Sequence, residues 1–142
     1  MEPSDVRRRV RQVIDQARKR TAAHRAAADQ ASRAFETFLP KVATPVFKLF
    51  ASVIKAEGHP FAVYTPAGGL RLASERAADD YIELALDTAL EPPTVVARIN
   101  RGRGSRLITD ERPVREGVTI ENLTEEDVLD FLLREIAPFL EK

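Results

Sequence analysis

"YIELALDT", residues 81–88, is the stretch on which the fold turns. On an extended chain Ile82, Leu84 and Leu86 fall on one side, and Tyr81, Glu83 and Asp87 on the other. That alternation describes a half-buried strand. Ala78, Ile82, Leu86 and Leu90 also form an i+4 row, so residues 77–90 fit a helix as well. The strand is the preferred reading, and an antiparallel sheet of about four to five strands follows from it.

The neighbouring segments support a sheet. "FAVYT" (61–65) and "LRLAS" (70–74) flank Pro66-Ala67-Gly68-Gly69, the pattern of a β-hairpin with a short glycine-containing loop. "TVVARIN" (94–100) is a β-branched run, and "SRLIT" (105–109) is its expected hairpin partner. The connection between them, "RINRGRGSR" (98–106), holds four arginines and two glycines. Gly102 and Gly104 are expected to supply the positive φ of a tight turn. Arg98 is expected to face acids of the preceding strand, Asp79, Glu83 and Asp87. Arg101, Arg103 and Arg106 are left for an anionic partner.

Helices enclose this sheet segment in the sequence. "NLTEEDVLDFLLREIAPFLEK" opens with Thr124 as N-cap and Asp127 three residues on, which approximates a capping box. Val128, Phe131, Leu132, Glu135 and Ile136 trace its buried side, and Pro138 is expected to end or bend it. On the N-terminal side, Thr44-Pro45 reads as a helix start and Gly58 as its stop. Val46, Phe47, Leu49, Phe50, Val53 and Ile54 make a broad apolar face there, expected in the core.

Residues 4–39 contain neither glycine nor proline and are rich in helix formers. Ser4 or Asp5 is the expected N-cap, and Pro40 is expected to end or kink the helix. Val6, Val10, Val13, Ala17, Thr21, His24, Ala28, Ala31, Phe35 and Phe38 recur in steps of three and four. This is a narrow seam of coiled-coil type. A 36-residue helix is roughly 54 Å long. A compact chain of this size is only roughly 37 Å across. The helix therefore protrudes, or a second chain covers it. The seam from Val6 to Phe35 is the expected interface of a homodimer. The chain reads as one domain, residues 1–142, with residues 1–39 as the protruding or dimerising helix and 40–142 as a compact body. The fold class is α+β.

The 22 basic and 22 acidic residues cancel, but not locally. Residues 1–25 carry a net charge of +5 and residues 121–142 a net charge of −5. The two ends are electrostatically complementary, which reads either as two solvated faces of opposite sign or as a charge pattern that can steer contacts within or between subunits. Arginine outnumbers lysine 17 to 5, which reads as the codon bias of a GC-rich bacterial genome. Without cysteine there is no disulfide, thiol nucleophile or thiolate metal site. This and the missing signal-peptide pattern suit the cytoplasm. No apolar run approaches the ~20 residues of a membrane span, so no membrane partner is expected.

No catalytic, cofactor-binding or metal-binding residues are assigned. His24 has alanine at i+4, so it lacks the HExxH constellation, and His59 sits beside Pro60 at a junction. Nucleotide-binding glycine motifs and the nucleophile elbow are missing. Asp79 and Asp80 are adjacent, so on a strand they point to opposite faces.

The favoured expectation is a non-enzymatic interaction, scaffold or regulatory protein working as a homodimer. A nucleic-acid-binding accessory protein is the alternative, using Arg7, Arg8, Arg9 and Arg11 on the helix with Arg101, Arg103 and Arg106 at the hairpin. Against it, no aromatic side chain interleaves the hairpin arginines. A ligand-binding module or enzyme with a pocket between sheet and helices is a further alternative.

Overall fold

The computed structural model describes residues 1–141. The element order is α1 (Pro3–Phe38), a π-helical turn (Leu39–Ala43), α2 (Thr44–Ala56), β1 (Phe61–Tyr64), β2 (Leu70–Ser74), β3 (Tyr81–Asp87), β4 (Thr94–Arg103), β5 (Arg106–Pro113), a 3-10 turn (Ile120–Asn122) and α3 (Glu125–Leu140). The five strands form one antiparallel meander in sequential order. The α+β class is therefore observed, with residues 81–87 in a central strand.

The alternation in β3 works as read. Ile82 and Leu84 are fully buried, across from Leu72 and Leu70 on β2 and from Ile99 and Ala97 on β4. This inner face meets Phe47, Phe131 and Leu132 from the helices in one continuous core. On the opposite face, Tyr64, Arg71, Glu83, Arg98 and Glu111 stand in one cross-strand row. Arg71 donates to Glu83 at 2.8 Å and lies 4.1 Å over the Tyr81 ring. Arg98 is thus opposite Glu83, but the Glu83 carboxylate is taken by Arg71.

The helical region departs from expectation. The first helix does not end at Pro40: Pro3–Ala56 is one continuous helix of 54 residues, roughly 80 Å long. Proline lacks an N–H, and its ring collides with the carbonyl four residues earlier. Two prolines, Pro40 and Pro45, fall five residues apart, and the chain answers with a π turn. The Thr44 N–H donates to the Leu39 carbonyl, five residues back, with right-handed helical dihedrals at Phe38, Leu39, Ala43 and Thr44. Thr44 is therefore no N-cap. Burial follows the same geometry: from Ala31 to Phe35 and Phe38 the steps are four and three, then five to Ala43. At the other end the helix starts at Pro3 after Glu2, not after a side-chain cap at Ser4 or Asp5.

By length and composition alone this helix meets the requirement for crossing a membrane, which the sequence reading did not anticipate. Ala43, Val46, Phe47, Phe50 and Ala51 in its C-terminal part are buried in the common core, and about a third of the apolar stretch that meets this requirement is buried in all (33%).

α3 begins with the expected capping box: the Asp127 N–H donates to Thr124 Oγ1, and the Thr124 N–H donates to Asp127 Oδ2. It runs through Pro138 to Leu140 instead of ending there. Arg112 on β5 clamps Glu135 with two hydrogen bonds of 3.0 and 2.8 Å, tying the edge strand to α3. That bond is the main cause of a raised Arg112 pKa.

Candidate interaction surfaces

The expected dimer seam divides in two. Ala31 and Phe35 are buried in this chain's own core, a correction to their reading as interface residues. The helix has reached the body by then: His24 Nδ1 lies 3.3 Å from Glu91 Oε1, and Ala28 is half-buried. Residues 1–23 are all exposed. Val6, Val10 and Val13 stand in water at 41%, 49% and 62% exposure, joined by Ile14 at 43%. Ile14 was missed by the sequence reading, although it sits at i+4 from Val10. Ala17 and Thr21 continue the stripe, and the Thr21 hydroxyl donates to the Ala17 carbonyl.

Arginines border this stripe. By helical spacing Arg7, Arg11 and Arg18 follow one edge, and Arg9 and Arg20 the other. Arg8 points elsewhere and pairs with Asp5 at 3.0 Å.

A second apolar surface lies between α2 and α3. Leu49 and Val53, expected in the core, are 68% and 53% exposed, and Leu133 is 55% exposed. With Leu129 and Leu140 they line an open groove of about 500 Å³. Among the described residues, the charged ones that line it are Glu125 and Glu126. The sequence showed that α2 is apolar over a broad arc. It did not show that the body covers only part of that arc.

The arginine hairpin forms a third surface. Arg103 pairs across from Arg106, leaving Gly104-Ser105 as a two-residue loop. Gly104 has φ +63°, as a turn with glycine first requires. Gly102 is not at positive φ; it lies in β4, and its N–H donates to the buried Asp80 carboxylate at 2.8 Å. Below it Asn100 donates to the Asp79 carbonyl at 2.7 Å and accepts from the Thr109 hydroxyl at 2.6 Å. The polar groups at the hairpin base are thus internally bonded, whereas Arg103 and Arg106 at the tip are exposed and Arg101 half-exposed.

Among the described residues no three His, Cys, Asp or Glu side chains gather as metal ligands. Comparison with protein-family models, with curated proteins and with solved structures yields no match.

Proposed function

We propose that this chain is a non-catalytic interaction protein, bacterial and cytoplasmic, that works as a homodimer through its projecting N-terminal helix. The observation that carries the reading is the stripe of Val6, Val10, Val13 and Ile14, exposed on a helix that has left its own body. Burying a fully exposed side chain of this kind gains roughly 1.5–3 kcal/mol, so each of these, already about half covered, gains about half of that. A two-fold partner doubles that gain, because each copy contributes the same stripe. Sedimentation equilibrium at micromolar concentration tests the reading. A dimer is expected, and a clean monomer overturns it.

The exposed arginine tip favours a second reading, nucleic-acid binding through Arg101, Arg103 and Arg106 with Arg7, Arg8, Arg9 and Arg11. Titration with labelled duplex at two salt concentrations separates the two. Affinity that falls steeply with salt supports nucleic acid; no binding at low salt ends that reading.

A further inference from the structure

Among the described residues, seven of the eleven exposed large apolar side chains fall in two patches: four on the projecting end of α1 and three in the α2–α3 groove. The patches differ in shape and charge. One is a convex stripe edged by arginines; the other is a concave groove whose charged lining, among the described residues, is Glu125 and Glu126.

Within one chain they do not meet. Val10 and Leu49 are both on the same unbroken helix. The 39 residues between them correspond to roughly 58 Å. The charge complementarity between the two ends of the sequence is therefore not satisfied internally. None of the ion pairs among the described residues joins residues 1–25 to residues 121–141.

We propose that the α2–α3 groove receives the projecting N-terminal helix of a second copy of this chain. This rests on the dimer reading above and names the receiving surface. Val6, Val10, Val13 and Ile14 of one copy enter the groove between Leu49, Val53 and Leu133 of the other, an amphipathic helix laid in an apolar groove. Arg7 and Arg11 at the stripe's edge meet Glu125 and Glu126 at the rim. Laid antiparallel about a two-fold axis, the arm of each copy occupies the groove of the other, and the exchange closes at two copies.

The chain has no cysteine, which makes cross-linking specific. Val6→Cys, Val10→Cys and Val13→Cys are each mixed with Leu133→Cys in the full-length protein and oxidised. A disulfide between the two different variants is expected for at least one pair, since the bond requires Cα atoms roughly 4.4–6.8 Å apart. Leu49→Asp with Leu133→Asp, at exposed positions that leave folding intact by circular dichroism, is expected to raise the dimer dissociation constant at least tenfold. Glu125→Arg with Glu126→Arg is expected to weaken the dimer, and mixing it with Arg7→Glu plus Arg11→Glu to restore association.

If sedimentation gives a dimer but arm cysteines join only arm cysteines and the Leu49/Leu133 variant dimerises normally, the arms pair with each other. The groove assignment then falls while the dimer reading stands. A monomeric wild-type protein overturns both.

Discussion

Asp127 binds at two places at once: it completes the α3 cap with Thr124 and accepts from Arg115 at 2.7 Å while only 8% exposed. Its carboxyl is held below the usual range, chiefly by the Thr124 N–H, with burial opposing and the Arg115 guanidinium helping. An aspartate with a lowered folded-state pKa stabilises the fold above its unfolded value of about 3.9. That contribution is lost as pH falls through the lower folded value. Asp127→Asn, which weakens the charge-assisted bonds to Thr124 and Arg115, is expected to cost about 1–3 kcal/mol at pH 7. Urea melts should then show a shallower acid-side decline for the variant than for the wild type; equal declines would disprove the role. Gly69 makes a different point. A Cβ there would stand 2.9 Å from the Leu84 carbonyl oxygen on the neighbouring strand. Gly69→Ala should therefore destabilise by about 1–3 kcal/mol in the same melts. The capping box was legible in the sequence because its partners are three residues apart. The Arg115 bond and the Gly69 approach were not, because they join segments that only folding brings together.

At the scale of elements, the π turn is the feature that sets the geometry. The five-residue step from Phe38 to Ala43 keeps both halves of the long helix facing one core across two prolines. Deleting the exposed Lys41 would remove that step and turn α1 by roughly 100° relative to α2. Phe35 and Phe38 would leave the core, and a loss of about 3 kcal/mol or more is expected by chemical denaturation. An unchanged midpoint would show that the helix absorbs the deletion elsewhere. The strands were readable because their period-two alternation survives in a sheet with one covered face. The helix boundary was misread because proline is ordinarily a stop, and the π solution depends on the sheet and α3 holding both halves in place.

At the scale of the whole molecule, the projecting end of α1 is separable from the body. Residues 1–22 are exposed throughout. Removing them is expected to leave thermal unfolding of the dilute protein within about 0.5 kcal/mol of the full chain, as for surface changes generally. Sedimentation should show the shortened chain as a monomer, and a truncated chain that still dimerises would locate the interface elsewhere. The sequence by itself determined the strand alternation, the two hairpins, the α3 cap and a first helix too long for its body. Each depends on neighbours a few residues apart or on simple length. Only the tertiary structure decided that the seam ends in the chain's own core at Ala31. It also decided that Leu49 and Val53 stay outside, because burial depends on which part of a helix the rest of the chain can reach.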